Sequence, residues 1–160
     1  METQRSAVIL SASNLRQYGA YYRNGTRTAM KPRILIVEDS LSQRQTVCRQ
    51  LARCHFDPVS AENGLEALRL ARMQPPELIL MDIDMPELDG LDTCRELQRD
   101  PLTRHIPVVM LSSCTEKSCQ LRALMRGAIA YLTKPVTRAQ LCHTMTRCLL
   151  QPPTWFVSEA

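Results

Sequence analysis

The chain has 160 residues, of which 44% are hydrophobic and 22% charged, a composition that is typical of a folded domain and excludes wholesale disorder. Its formal net charge of +4 is too small an excess to indicate a nucleic-acid-binding surface. No stretch approaches the ~18 consecutive apolar residues of a membrane-spanning helix, and the early apolar run at residues 7–10 is too short for the core of a signal peptide.

The two ends of the chain differ from its middle. Residues 1–29 have no sustained periodicity and carry four arginines and one acidic residue, which predicts a disordered N-terminal extension or an arm that orders on a partner. An alternative is that the protein starts at Met30, directly before the first predicted strand. Residues 30–150 form the predicted domain, and residues 151–160 a short C-terminal tail.

The first predicted elements are a buried strand, a helix and an edge strand. Residues 33–37 form a continuous apolar run, typical of a strand that is buried on both faces. A helix over residues 40–54 follows and opens with the capping pair Asp39-Ser40. Residues 57–60 predict a short strand at the edge of a sheet, because Pro58 lacks the amide hydrogen that a central strand needs.

The middle of the chain continues the alternation. The second helix begins at Asn63-Gly64 and ends at Pro75-Pro76, since proline cannot continue a helix. Residues 77–81 predict another buried strand, which ends on Asp82. The loop at residues 85–90 then leads into the third helix.

The last third of the chain predicts two strands and two helices. Residues 107–111 form a strand, residues 116–126 a helix, and residues 129–133 the fifth strand. Lys134-Pro135 is a tight turn, and residues 137–150 form the last helix. The apolar residues at helical spacing are Leu65, Leu68 and Ala71 in the second helix; Leu91, Cys94 and Leu97 in the third; Leu121, Leu124 and Met125 in the fourth; and Leu141, Met145, Cys148 and Leu149 in the fifth.

Polar residues end four of these strands and predict one shared site. Alternating strands and helices indicate a parallel α/β sheet with helices on both faces, in which the carboxyl ends of the strands meet at one edge. Glu38-Asp39, Asp82, Ser112 and Lys134 all stand at such ends. Three carboxylates offer only oxygen ligands, which Mg²⁺ prefers. An ammonium and a hydroxyl can both donate hydrogen bonds to the anionic oxygens of a phosphoryl group. The set therefore predicts a site that accepts a phosphoryl group, with the central Asp82 as the nucleophile.

Four motifs in order strengthen this interpretation. They read Ile-Leu-Ile-Val-Glu38-Asp39-Ser, Met81-Asp82-Ile-Asp84-Met85-Pro86-Glu-Leu-Asp89-Gly90, Pro107-Val-Val-Met-Leu-Ser112-Ser113 and Tyr131-Leu-Thr-Lys134-Pro135. Each is weak alone, but the set in this order and spacing is highly specific. Residues 31–150 resemble the receiver domain of two-component response regulators.

The resemblance implies a fold and a metal site. The fold is a flavodoxin-like, doubly wound, five-stranded parallel sheet of order 2-1-3-4-5 with helices on both faces. Asp82 is implied as the residue that a histidine kinase or a histidine phosphotransfer domain converts to aspartylphosphate. Mg²⁺ is implied on Glu38, Asp39, Asp82 and the main-chain carbonyl of Asp84.

The resemblance also implies the residues that respond to the phosphoryl group. Ser112 and Tyr131 match the pair that reorients when the group arrives, and Lys134 matches the family's invariant lysine, with a cis bond to the following proline. Two positions that tune dephosphorylation in the family carry Asp84 and Cys114 here. Whether the extra carboxylate slows or assists the attacking water stays open.

The implied function is a phosphorylation-switched signalling module, not an enzyme. Phosphorylation would change the affinity of a monomer, or of a phosphorylation-dependent dimer, for a downstream protein on the face made by the fifth strand and the last helices. The module is predicted to be cytoplasmic, with no direct contact with nucleic acid or membrane. Details of the motifs are similar to regulators of chemotaxis and type IV pilus twitching. Alternatives are a phosphotransfer intermediate or phosphate sink and, more remotely, a haloacid-dehalogenase-like phosphohydrolase.

The seven cysteines predict reduced structural thiols. Their number is odd, and neither Cys-x-x-Cys nor a Cys/His cluster with zinc-like spacing occurs. Cys48, Cys94 and Cys148 fall on predicted helices, where a thiol packs as a small apolar group. A redox or metal role is therefore the less favoured alternative.

Overall fold

The computed structural model describes residues 31–150, which contain five strands and five helices in strict alternation. The elements are β1 (Arg33–Val37), α1 (Leu41–Arg53), β2 (Asp57–Ala61), α2 (Gly64–Met73), β3 (Leu78–Asp82), α3 (Gly90–Arg99), β4 (Val108–Ser112), α4 (Lys117–Met125), β5 (Ala130–Thr133) and α5 (Arg138–Leu150). The predicted extension at residues 1–29 and the tail at residues 151–160 lie outside the described residues.

The strands form one parallel sheet in the order β2-β1-β3-β4-β5. This confirms the predicted flavodoxin-like topology, and it places Pro58 in an edge strand as expected. The Lys134–Pro135 bond is cis, as the resemblance implied. Among residues 31–150, no helix is long and apolar enough to cross a membrane.

Two hydrophobic clusters cover the two faces of the sheet. On one face α1 and α5 pack through Leu51, Leu141 and Met145 against side chains of β1, β3 and β4. On the other face α2, α3 and α4 pack against the same strands with small residues such as Ala67 and Ala123. The central strands are buried on both faces because helices cover both, which explains their continuous apolar sequences.

In α2 Ala71 is buried and Leu68 packs against the core as predicted, but other large apolar residues that the periodicity suggested in α2 and α4 are not buried. Leu65 is 61% exposed, and Leu121 and Met125 are 59% and 77% exposed. In α4 the residues that face the sheet are Cys119 and Ala123. Short side chains let the helix approach the sheet closely, so the longer ones are left on the solvent side.

The predicted set of reduced thiols is wrong for four of the seven cysteines. Cys54 is joined to Cys142, and Cys114 to Cys119, by disulfide bonds. Cys48, Cys94 and Cys148 are free. The first pair is separated by 88 residues and meets only because α1 and α5 lie side by side, which no local spacing reveals.

Gly90 begins α3 directly against the end of β3. A Cβ atom there would collide with the backbone carbonyl of Asp82 and lie 2.8 Å from the Cα atom of Ile83. We therefore expect Gly90→Ala to lower the free energy of unfolding by about 2–3 kcal/mol in urea denaturation. Alanine intrinsically favours a helix by up to ~1 kcal/mol over glycine, so an unchanged or raised midpoint would contradict this close contact.

Candidate functional site

The predicted site residues lie together at the carboxyl edge of the sheet. Glu38 directly follows β1, and Asp82 is the last residue of the neighbouring strand β3. Ser112 ends β4 opposite Thr133 of β5, and Lys134 follows that residue. Four neighbouring strands thus deliver the set, as the sequence analysis expected from their positions at strand ends.

Three carboxylates form a cluster that fits a divalent cation. One oxygen each from Glu38, Asp39 and Asp82 lies within 4.8 Å of the others. Glu38 and Asp82 are each only 3% exposed, whereas Asp39 is exposed to solvent. Hard oxygen ligands, two of them buried and one open to water, match the requirements of Mg²⁺, which keeps part of its hydration shell.

Lys134 connects the carboxylates across 96 sequence positions. Its Nζ atom donates to Oε2 of Glu38 at 3.0 Å and lies 3.3 Å from Oδ1 of Asp82. It also donates to Oε1 of Gln43 in α1 at 2.8 Å. The ammonium is therefore fixed between two buried carboxylates by three acceptors.

The charges of this cluster shift the pKa values of its members. Burial and the negative charge of Glu38 raise the pKa of Asp82 to about 6, although Lys134 and the amide of Asp84 act in the opposite direction. Burial lowers the pKa of Lys134, but the hydrogen bond to Glu38 and the charge of Asp82 outweigh this effect and raise it. Repulsion between carboxylates is thus only partly relieved by the lysine, and a divalent cation would relieve the rest.

Backbone and side-chain contacts from α1 hold Glu38 in place. Its Oε1 atom accepts the amide hydrogen of Ser40 at 3.0 Å, and its carbonyl oxygen accepts from the guanidinium of Arg44 at 2.7 Å. Ser40 is also the N-cap of α1. The residues at the start of this helix therefore hold Glu38 in a fixed position within the carboxylate cluster.

Ser112 and Tyr131 meet at a common residue and not at each other. The hydroxyl of Ser112 accepts the amide hydrogen of Cys114 at 3.1 Å, and the hydroxyl of Tyr131 donates to the carbonyl oxygen of Cys114 at 2.8 Å. Ser112 is buried, and Tyr131 is half-buried. The loop after β4 is thus held by both residues that the family resemblance marked as a switch.

Gln43 and Arg44 are site residues that the sequence analysis missed. The pattern Ser40-x-x-Gln43 resembles a capping box, in which Gln43 would bond back to the amide of Ser40. Glu38 takes that amide instead, and the side chain of Gln43 turns to Lys134. The local motif Ser40-x-x-Gln43 therefore does not predict the long-range contact of Gln43 with Lys134.

A cavity of about 530 Å³ adjoins the cluster between α1 and the turn after β5. Glu38 and Lys134 line its inner end, and Thr46 and Gln50 of α1 and Val136 continue it outwards. Of the three carboxylates of the cluster, Glu38 thus lines a cavity on the side of α1.

Comparisons with known proteins agree with this geometry. The family described as "Response regulator receiver domain" matches residues 34–146. Protein PilH of Pseudomonas aeruginosa is 36% identical over 117 residues, which cover 73% of this chain and 97% of that protein. Response regulator PleD of Caulobacter vibrioides is 36% identical over 112 residues, which cover 70% of this chain but only 25% of PleD, so the chain spans about a quarter of that relative.

A solved structure shows the same fold. The chemotaxis protein CheY4 of Vibrio cholerae superimposes with a TM-score of 0.70 at 27% sequence identity. The superposition covers 73% of this chain and 98% of that one.

Proposed function

This chain belongs to the response regulator receiver domain family, the phosphorylation-switched signalling modules of two-component systems, and we propose that its phosphoryl acceptor is Asp82. One observation carries the assignment: the ammonium of Lys134 lies between the buried carboxylates of Glu38 and Asp82 at the edge of the sheet. This arrangement keeps a carboxylate nucleophile next to a positive charge that an incoming phosphoryl oxygen can use.

The proposed reaction is a direct displacement on phosphorus. A carboxylate oxygen of Asp82 forms a bond to the phosphorus of a phosphohistidine, and the P–N bond breaks so that its electron pair returns to the imidazole. Lys134 donates to one oxygen of the transferred group. Because its contact to Gln43 keeps the ammonium in place, little reorganisation is needed during transfer.

Glu38, Asp39, Asp82 and the main-chain carbonyl of Asp84 would hold Mg²⁺. When bound, the ion neutralises charge on the phosphoryl oxygens and lowers the repulsion among the carboxylates. The exposed side chain of Asp84 stands where it can influence water that reaches the acyl phosphate, and so the lifetime of the phosphorylated state. Any such self-hydrolysis ends a signal and is not an enzymatic activity towards a separate substrate.

The response is proposed to pass through the loop after β4. A phosphoryl oxygen on Asp82 offers the hydroxyl of Ser112 a new hydrogen-bond acceptor. That hydroxyl is hydrogen-bonded to the amide of Cys114, and the carbonyl oxygen of Cys114 accepts from the hydroxyl of Tyr131. A shift of Ser112 therefore changes the contact of Tyr131 and the start of α4. The phosphoryl group biases an equilibrium between two arrangements of this region.

Two surfaces suit the two classes of partner. The cavity beside α1 opens onto Glu38 and Lys134 and is the proposed docking side for a histidine kinase or histidine phosphotransfer domain. On the other side of the site, Leu121, Leu124 and Met125 expose apolar surface on α4, next to β5, where a downstream protein would bind. We propose a cytoplasmic module in chemotaxis or type IV pilus twitching, acting as a monomer or a phosphorylation-dependent dimer.

Intact mass spectrometry tests the proposed chemistry. The wild-type chain incubated with acetyl phosphate and Mg²⁺ is expected to gain one phosphoryl group, and Asp82→Asn none, because an amide cannot form the acyl phosphate. Chelation of Mg²⁺ should abolish the adduct in the wild type. Asp84→Asn is the matched control, since it removes a neighbouring exposed carboxylate and should leave the adduct.

An adduct that persists in Asp82→Asn would contradict the assignment of the acceptor. Absence of both the adduct and Mg²⁺ binding in the wild type would instead mean a receiver fold that works as a constitutive binding scaffold. A rapid return of the phosphoryl group to a histidine domain would favour the role of phosphotransfer intermediate.

A further inference from the structure

Cys114 and Cys119 flank the start of α4, beside the proposed switch residues. Cys114 lies in the loop after β4, Cys119 is the third residue of α4, and a disulfide joins them with their Cα atoms 6.4 Å apart. The sequence separation is only five residues. This bond therefore closes a small local loop and does not connect distant parts of the fold.

The backbone of Cys114 is the common partner of both switch residues. Its amide hydrogen is accepted by Ser112, and its carbonyl oxygen accepts from Tyr131. Any movement that Ser112 and Tyr131 make together must displace Cys114. A covalent bond from its sulfur to α4 resists that displacement.

The first turn of α4 lacks the side-chain N-cap that α1, α2 and α3 have. Side chains at the N-caps of α1, α2 and α3, namely Ser40, Asn63 and Asp89, accept backbone amide hydrogens. Glu116 at the N-cap of α4 makes no such bond. Such caps contribute about 1 kcal/mol each, so without the disulfide the start of α4 lacks a restraint that those three helices have.

The surroundings of the pair favour reaction with a solvent oxidant. The guanidinium of Arg122 donates to the sulfur of Cys119 at 3.4 Å, and a carboxylate oxygen of Glu116 lies within 4.8 Å of both sulfurs. Cys114 is half-buried and the four residues between the two cysteines are exposed, whereas Cys119 is only 9% exposed, so a solvent oxidant reaches Cys114 first. By contrast, burial raises the pKa of Cys94 to about 12, which keeps that thiol protonated and unreactive.

We propose that Cys114 and Cys119 are a reversible oxidation site for hydrogen peroxide, and that their disulfide restrains the β4–α4 loop and weakens its response to phosphorylation. The oxidation itself is independent of the proposed function, whereas the effect on the response rests on it. The four residues between the two cysteines are exposed, so oxidant and reductant can reach this bond, which suits a transient and regulatory disulfide.

One molecule of hydrogen peroxide oxidises the two thiols to one disulfide and two molecules of water. The thiolate of Cys114, the more exposed of the two, attacks one peroxide oxygen, the O–O bond breaks, and the departing hydroxide takes up a proton to form water, leaving a sulfenic acid. The thiol of Cys119 then displaces the hydroxyl of that sulfenic acid, which leaves with the thiol proton as a second water. A dithiol reductant restores both thiols by thiol–disulfide exchange.

Peptide mapping tests the oxidation site. The full chain is reduced, desalted, treated with hydrogen peroxide, blocked at free thiols and digested with trypsin without reductant. Cleavage after Arg104, Lys117 and Arg122 places the two cysteines in the separate peptides 105–117 and 118–122. We expect these peptides to be joined after peroxide and separate after reductant. Separate, blocked peptides after peroxide would overturn the proposal.

A metal ion is the competing occupant of the reduced pair. The two sulfurs and a carboxylate oxygen of Glu116 lie within 4.8 Å of one another, a donor set that also suits a thiophilic cation. The reduced chain is therefore desalted after incubation with equimolar Zn²⁺. Retention of one Zn²⁺ per chain, together with protection of both thiols from peroxide, would overturn oxidation in favour of a metal site.

Hydrogen–deuterium exchange tests the effect on the response. With Mg²⁺ and beryllofluoride, a mimic of the phosphoryl group, amides of the loop and first turn of α4 in the reduced chain should change their exchange rate by about fivefold or more. In the oxidised chain we expect a change of less than about twofold. The control Cys119→Ser, which cannot form the bond, should respond fully with and without peroxide.

The outcomes separate this inference from the proposed function. Equal responses of the oxidised and reduced chains would overturn the regulatory role. Loss of the response in both redox states would also overturn it if the phosphoryl adduct at Asp82 still forms, because the loop would then not report phosphorylation. If that adduct is absent too, the proposed function fails with the regulatory role, and the peptide map alone decides whether the oxidation site exists.

Discussion

Replacement of Lys134 by alanine is expected to lower the free energy of unfolding of the metal-free protein by about 3 kcal/mol at pH 8. The lysine is the cation between Glu38 and Asp82, so its removal leaves two buried carboxylates that repel each other. Urea denaturation in the presence of a chelator measures the loss. Added Mg²⁺ should recover part of it, because the ion takes over the neutralisation.

The loss should depend on pH in a defined direction. In the folded wild type the pKa of Asp82 is raised to about 6, above the ordinary value of 3.8, so the folded state binds more protons than the unfolded state between these values. The stability contributed by this group is therefore present at low pH and declines as the pH rises through about 6. Without Lys134 the pKa of Asp82 rises further, and the destabilisation should shrink at pH 5.

Asp82→Asn is the matched control for this interpretation. It removes the charge that burial and Glu38 disfavour, so we expect it to raise the free energy of unfolding of the metal-free wild type by on the order of 1–2 kcal/mol at pH 8. In the Asp82→Asn background, Lys134→Ala should cost less than half of its cost in the wild type. An equal cost in both backgrounds, independent of pH, would show that the lysine acts through its packing and not through its charge.

The fold was predictable because burial on both faces leaves a clear mark on sequence. A strand such as residues 107–111 is uninterruptedly apolar only when helices cover both sides of the sheet. Polar residues end these apolar strands although Asp82 is only 3% exposed, so they indicate a shared site at one edge of the sheet, which is why Asp82 and Lys134 were identified together. Parallel topology converts five local patterns into one three-dimensional neighbourhood.

The faces of the helices were less predictable because close approach to a sheet favours small residues. Ala123 of α4 is completely buried, whereas Met125 is 77% exposed. In α5 the predicted Leu141 and Met145 do face the core, but in α4 the periodicity of large apolar residues does not identify the side that packs on the sheet. In this protein the exposed side of α4 coincides with the surface that we propose for a downstream partner.

Long-range partners of polar residues were not predictable either. Gln43 lies one helical turn from the N-cap of α1, where its local sequence suits a capping role, and only the assembled sheet brings Lys134 within reach. The cysteine pairs have the same origin, since the position of a sulfur relative to another depends on helix packing. Residue spacing cannot supply this information.

Reduction of the Cys54–Cys142 disulfide is expected to lower the free energy of unfolding by roughly 4 kcal/mol. The bond joins the end of α1 to α5 and spans 88 residues, so it removes many conformations from the unfolded chain. Urea denaturation with and without dithiothreitol measures the effect. The double variant Cys54→Ser/Cys142→Ser should be less stable than the oxidised wild type by this amount. It should reach the stability of the fully reduced wild type only when reductant also removes the smaller contribution of the other pair.

The double variant Cys114→Ser/Cys119→Ser provides the contrast. Its bond spans only five residues, for which the same loop-entropy argument gives about 2 kcal/mol. The two disulfides are thus expected to have different roles. The long-range bond stabilises the packing of α1 on α5, and the local bond acts on the loop beside the phosphoryl site. Equal losses for the two double variants would contradict this division, because chain entropy would then not be the origin of the stabilisation.

A wild type whose stability is unchanged by reductant, with Cys54 and Cys142 both open to alkylation beforehand, would show that the long-range bond does not form.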